Sequence, residues 1–237
     1  MKNLATVENR VAEAQRESTS KILEYAWQEK KRGLAESTIQ QRVIRLNTLI
    51  KKGANLMEPD SISTVLAKSS WTDSNKRVFI ATYKSFAGAF NLPWEPPKTR
   101  VERKMPFIPT EEEIDQLIAG YGKKTATFLQ VLKDTVARTA EATKLQWTDV
   151  DEKSCTMRIN HPVKGSRARV VKVPAKTIAM INALPRTNDL VFSTTPHTIR
   201  RNFYKQRRRI VATLQNPRLR QIRLHTPAIG KPPWNTI

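Results

Sequence analysis

The sequence lacks the residues that would tie it to an oxidising compartment, a membrane or a metal. One cysteine, Cys155, occurs in 237 residues. No internal disulfide can form from it, and a cysteine-based metal cluster is short of ligands. The expectations are no metal, no cofactor and a reducing cytoplasmic setting. No apolar run approaches the roughly 20 residues that span a bilayer. The start, Met1-Lys2-Asn3-Leu4, leads into polar chain without the apolar stretch of a secretory signal, so no membrane is expected as partner. Internal repeats and low-complexity tracts are missing too. Acid is scarce: 42 Lys and Arg stand against 21 Asp and Glu, a formal charge of +21, and no acidic residue follows Asp189. Such an excess points to a polyanion, nucleic acid first, because neutralising phosphates releases condensed counterions. On composition alone, a ribosome-type or merely basic surface stays open.

What is present is a core-forming chain, 39% hydrophobic, with strong helical periodicity in its first 90 residues. Val11, Ala14, Ile22, Tyr25 and Ala26 share one face of a helix expected from about Val7 to Lys31, closed by Gly33. Glu36-Ser37-Thr38 opens a second helix with the stripe Ile39, Val43, Leu46, Leu49 and Ile50, stopped by Gly53. Asp60-Ser61 begins a short third helix. Thr72-Asp73 caps a fourth that runs to about Phe90, with Val78, Phe79, Tyr83, Phe86 and Phe90 as its core side. Residues 1–92 are thus expected to form a helical domain. From 93 to 107 the character changes: prolines stiffen the path, and Lys98, Arg100, Arg103 and Lys104 line it, as in a basic interdomain linker.

A second domain is expected over 108–226. Thr110 and Glu113 form a capping box for a helix carrying Ile114, Leu117 and Ile118 and ended by Gly120. A helix over about Lys124 to Ala137 follows, with Val136 among its apolar residues, then one over about Ala140 to Leu145 and a turn at Asp149-Val150-Asp151. The period then changes to two. Cys155 to Asn160 and Ala168 to Val173 read as a hairpin around a Gly-containing loop. Ala175 to Ala183 returns to helix, Leu190-Val191-Phe192 reads as a short strand, and Thr198 to Leu214 as a basic helix with Ile199, Phe203, Ile210 and Leu214 along one side. The fold class expected is mainly α with a small antiparallel β-sheet. Ten Lys and Arg follow Asp189, among them Arg200, Arg201, Arg207 and Arg208. A helix so charged can also lie on a membrane surface; double-stranded DNA ranks first because the linker is basic as well.

Four stretches carry a family resemblance. Thr135-Val136-Ala137-Arg138-Thr139-Ala140-Glu141 resembles the first catalytic box of the tyrosine recombinases, or phage-type integrases, in which an arginine follows a helix end and a glutamate stands three residues on. The family usually has glycine where Ala140 stands. Leu145-Gln146-Trp147-Thr148-Asp149-Val150-Asp151 is similar to its L-x-W-x-D-I/V-D continuation. Lys164, in Pro162-Val163-Lys164-Gly165, occupies the place of its hairpin lysine, although Lys172, Arg167 or Arg169 could fill that role. His225-Thr226 resembles the first half of H-x-x-R. The resemblance covers nearly all of residues 8–226, particularly to archaeal-type members. It implies an N-terminal core-binding domain and a catalytic domain that together form a C-shaped clamp on duplex DNA. It further implies weak self-association on DNA and a nucleoid location. In its chemistry a tyrosine attacks a phosphodiester, arginines and histidine hold the non-bridging oxygens, and the lysine protonates the leaving 5′ hydroxyl. The implied catalytic set is Arg138, Lys164 and His225. The implied DNA-contact set is Lys98, Arg100, Arg103, Lys104, Arg167, Arg200, Arg201, Arg207 and Arg208.

The pattern breaks after His225-Thr226. Residues 227–237 read as an aberrant tail where the family has its second arginine and, further on, its tyrosine. Read one base earlier, their codons permit Arg-His-Trp-Lys-Ala-Thr-Met-Glu-Tyr from the second shifted codon on, so a frameshift near residue 227 is expected, with a genuinely short C-terminus of a DNA-binding variant as the alternative. The catalytic domain would then be incomplete, the chain inactive as written, and apolar surface near Ile210 and Leu214 uncovered. A non-enzymatic DNA-binding regulator and an RNA-binding basic protein are the alternatives.

Overall fold

The computed structural model describes residues 2–100 and 107–224, and for residues 2–16 the backbone only. The chain divides into two compact units, Met1–Lys104 and Met105–Ile237; each is taken by itself.

The first unit is four helices: α1 (Lys2–Lys31), α2 (Glu36–Lys51), α3 (Pro59–Lys68) and α4 (Asp73–Ala89). Gly33 adopts φ +78°, a conformation costly for any residue with a Cβ, and lets the chain leave α1 sharply. The Thr72 hydroxyl accepts from the Asn75 backbone N–H and caps α4. Tyr25, Leu46, Leu49, Ile62, Tyr83 and Phe86 meet in a core from which water is excluded. Each side chain of this size contributes roughly 1.5–3 kcal/mol on burial. The buried carboxylate of Glu29 is paired by Arg42, which also donates to the Tyr25 and Ser85 hydroxyls, tying α1, α2 and α4 together. Val78, expected in the core, is 40% exposed, because the buried stripe of α4 runs through Phe79, Thr82, Tyr83, Phe86 and Ala87 and leaves it at the margin. The stretch expected to be linker begins as part of this unit: the Trp94 indole N–H donates to the Ser63 hydroxyl at 3.1 Å, and its ring meets Tyr83 edge-on.

The second unit has mixed structure, the α plus small antiparallel sheet that the sequence implied. In order it comprises α5 (Glu111–Ala119), α6 (Lys123–Thr135), α7 (Thr139–Ala142), a 3-10 turn (Trp147–Asp149), β1 (Val150–Asp151), β2 (Thr156–Ile159), β3 (Arg169–Lys172), α8 (Ala175–Asn182), α9 (Pro196–Leu214) and a last 3-10 turn (Pro217–Gln221). The Thr110–Glu113 capping box opens α5 as its spacing predicts, and Arg218 closes on the same Glu113 carboxylate. Helix α6 is buried from Thr125 to Leu132, so it forms the centre of this unit. It ends two residues earlier than its apolar pattern suggests. Val136 leaves it at φ 52°, in the left-handed region, and is 41% exposed rather than in the core.

The sheet has three antiparallel strands in the order β1-β2-β3, with Val150 opposite Met157 and Arg158 opposite Val170. The turn expected at Asp149 to Asp151 therefore supplies an edge strand. Leu190 to Phe192, expected as a strand, makes only a single bridge, Leu190 to Gln146, while the buried Phe192 ring packs edge-on against Phe128. On α9, Ile199, Phe203, Ile210 and Val211 face inward. Ile210 is covered, contrary to expectation: it packs so closely on Gly120 that a Cβ there would stand 2.8 Å from its Cγ1. Leu214 does remain 46% exposed.

Candidate phosphate-binding site

The left-handed turn at Val136 ends α6, and Arg138 stands just ahead of α7. Glu141, three residues on, points its carboxylate back and accepts the Arg138 backbone N–H at 3.0 Å. That carboxylate is fully enclosed. A buried charge must be paired and hydrogen-bonded, and here the donors come from the β2–β3 hairpin. They are the Val163 backbone N–H at 3.2 Å, the Ser166 hydroxyl at 2.5 Å and the Arg169 guanidinium at 3.0 Å, joined by the Arg138 guanidinium at 3.3 Å. Burial alone would push the Glu141 carboxyl up; the Ser166, Arg138, Arg169 and Val163 donors outweigh it and hold the group down at about 2. It is therefore an anion at every physiological pH.

The same carboxylate sets the hairpin tip. The Ser166 backbone N–H donates to the Val163 carbonyl at 3.2 Å, closing a turn whose two central residues, Lys164 and Gly165, both have positive φ, 54° and 75°. This is the type I′ arrangement, in which the second central residue is commonly glycine. Arg138 also donates to the Val163 carbonyl, at 3.2 Å. The start of α7 is thus fastened to the residue before Lys164, and Lys164 itself stands exposed at the tip.

The structure so brings together the Arg138 guanidinium and the turn that carries Lys164, and it adds Arg169, which the sequence ranked only as a substitute for Lys164. No local signal in the sequence pairs Glu141 with Ser166 or Arg169, 25 and 28 residues away. Arg167, on the leg after the turn, is exposed. Along α9, Arg201, Lys205, Arg208 and Arg209 recur at intervals of three and four and are exposed, as is Arg200, so the helix shows a cationic stripe away from its apolar face. Arg207 does not join them. Its guanidinium lies 4.8 Å from the Tyr204 ring centre, donates to the Ile222 carbonyl and ties α9 to the last 3-10 turn. Lys98 and Arg100 are exposed in the first unit. Arg103, Lys104, His225 and the tail 227–237 lie outside the described residues. Among the described residues no group of three His, Cys, Asp or Glu side chains could hold a metal ion, and no helix is long and apolar enough to cross a membrane.

Chemically, the cluster holds more cationic than anionic groups. Two guanidiniums face one carboxylate, and among the described residues no second carboxylate pairs with either of them or with Lys164. The Arg138 and Arg169 side chains are 43% and 31% exposed, so their remaining N–H groups can reach an incoming oxyanion.

No protein-family model and no curated protein sequence matches the chain. The likeness is one of fold. Lambda integrase bound to DNA superposes with a TM-score of 0.64 at 12% identity, over 81% of this chain and 78% of that one. The Tn1549 transposon integrase, in complex with transposon right-end DNA, gives 0.60 at 13% over 88% and 84%. The XerH site-specific recombinase on its difH substrate gives 0.57 at 16% over 85% and 69%.

Proposed function

We propose that this chain, which shares the tyrosine recombinase fold, is a duplex-DNA-binding protein of that type, and that the Arg138–Glu141–hairpin cluster receives a backbone phosphate. The observation that carries the reading is the fastening of Arg138 to the turn bearing Lys164 through one buried carboxylate. It sets a guanidinium beside the backbone that leads into Lys164, on a protein of net charge +21. Fixed donors of this kind set the register of a protein on the phosphates. The exposed cations Arg201, Lys205, Arg208 and Arg209 of α9 are read as further phosphate contacts, as are Lys98, Arg100, Arg103, Lys104 and Arg167, with His225 as a further phosphate-binding group.

In the chemistry that the fold's relatives perform, Lys164 would deliver a proton to the leaving oxygen and Arg138 would hold the phosphoryl oxygens. Among the described residues, no contact of Tyr25, Tyr83, Tyr121 or Tyr204 lies with Arg138, Glu141 or the hairpin turn. Tyr25 and Tyr83 are enclosed in the core of the first unit. The Tyr121 hydroxyl donates to the Phe203 carbonyl, and Tyr204 lies beside Arg207 on α9. We therefore read a polypeptide of these 237 residues as binding DNA without forming a phosphotyrosyl bond. The test is fluorescence anisotropy with a labelled duplex at stated salt, alongside a nicked suicide duplex. Arg138→Gln and Lys164→Gln should each weaken binding about tenfold near 0.1 M salt, and no covalent adduct should accumulate. Wild-type affinity in both variants would overturn the phosphate site; a covalent adduct would overturn the binding-only reading. Equal affinity for double-stranded RNA would favour the RNA-binding alternative.

A further inference from the structure

We infer that Arg169 is a second phosphate-holding residue of this site, acting beside Arg138 on the same phosphate; the inference rests on the phosphate-site reading above. Arg169 begins β3, and its guanidinium and that of Arg138 approach the two oxygens of one carboxylate, Arg138 at Oε1 and Arg169 at Oε2. A carboxylate lying between two guanidiniums fixes their separation and orients them as a pair.

The alternative is that Arg169 serves only as the counterion of Glu141. The donor count argues against it. Glu141 already accepts from two backbone N–H groups, the Ser166 hydroxyl and Arg138, whose single positive charge balances it. A second guanidinium leaves the pair with one unneutralised positive charge, and Lys164 at the adjoining tip adds another. Leaving that charge without an anion is unfavourable in a partly enclosed site. A phosphodiester, singly negative, with two oxygens able to accept, matches the surplus. A planar fork suits it better than a second lysine would, because a guanidinium can give two parallel N–H bonds. Arg169 stays open to such a ligand: its side chain is 31% exposed, and the other contact of its guanidinium is a 3.5 Å approach to the Arg167 carbonyl.

The experiment uses the full chain and a short labelled duplex over a salt series. Arg169→Gln should bind about tenfold more weakly near 0.1 M salt and lower the slope of log affinity against log salt by about one. Arg169→Lys should recover part of that loss. The double variant with Arg138→Gln should lose less than the two single losses combined, since both forks hold one phosphate. In wild type, the Arg169 Nε–H resonance should shift along the same saturation curve as the anisotropy, a readout that needs no variant to fold. If Arg138→Gln weakens binding while Arg169→Gln stays within about twofold and the Arg169 resonance does not move, Arg169 is a counterion and this inference fails alone. If neither variant nor Lys164→Gln changes affinity, the phosphate site itself fails and takes this inference with it.

Discussion

Replacing Glu141 with glutamine keeps the shape of the side chain but removes the charge around which the hairpin tip is organised. The size of the effect follows from the carboxyl group's own titration. Its ordinary value is 4.5, and in the folded chain it is held at about 2. At about 1.4 kcal/mol per unit, that difference corresponds to about 3 kcal/mol of folding stability. Because the folded value is depressed, the stability is fully present above pH 4.5 and drains away as pH falls from there toward 2. Urea unfolding of wild type and Glu141→Gln should therefore differ by about 3 kcal/mol at pH 7 and by roughly half of that or less near pH 3. The glutamine amide also turns an N–H₂ toward donors that need an acceptor, which adds to the loss at neutral pH. Far-ultraviolet circular dichroism would follow both unfolding curves. A gap between the two proteins that stays constant from pH 7 to pH 3 would refute the reasoning, because the stability would then not come from the ionised carboxylate.

Three further substitutions test the packing that supports the site. Gly120→Ala places a methyl 2.8 Å from Ile210 Cγ1, so thermal unfolding should show a loss of about 1–3 kcal/mol from overpacking; unchanged melting would mean α9 shifts freely over α5. Thr110→Ala removes the hydroxyl that caps α5 and should cost about 1 kcal/mol in chemical denaturation. Arg207→Leu deletes the contact from α9 to the Ile222 carbonyl. It should raise amide exchange across Pro217–Gln221 while leaving the salt slope of DNA binding unchanged, unlike substitutions at Arg201 or Arg208, each of which should lower that slope by about one.

Helices bounded by local chemistry were the legible part of the fold. Thr72, Thr110 and Glu113 act within one turn of chain, so their spacing alone announces α4 and α5. The hairpin was legible for the same reason, since alternation and the Lys164-Gly165 pair are local signals. Three features escaped because tertiary packing decides them. Val150–Asp151 is too short to show a period of two and becomes a strand only because β2 lies beside it. Leu190 to Phe192 has strand composition but no second neighbour to pair with, so its apolar residues fill core space instead. Glu141 could be foreseen as a local partner of Arg138, three residues away. Its bonds to Val163, Ser166 and Arg169 close a loop of more than twenty residues, which periodicity does not encode. Arg207 shows the limit of charge as a guide: it shares a helix with the exposed arginines, yet its direction is set by Tyr204 and Ile222.

Val136 carries a consequence of its own. A β-branched residue has few comfortable shapes at φ 52°, so the joint between α6 and Arg138 behaves as a stiff elbow in place of a swivel. Glycine at this position would relax it by about 1 kcal/mol or more while widening the cone through which the arginine can point. Aim and comfort are therefore opposed at this one residue, and a variant selected only for heat resistance would be expected to surrender some of the first to gain the second.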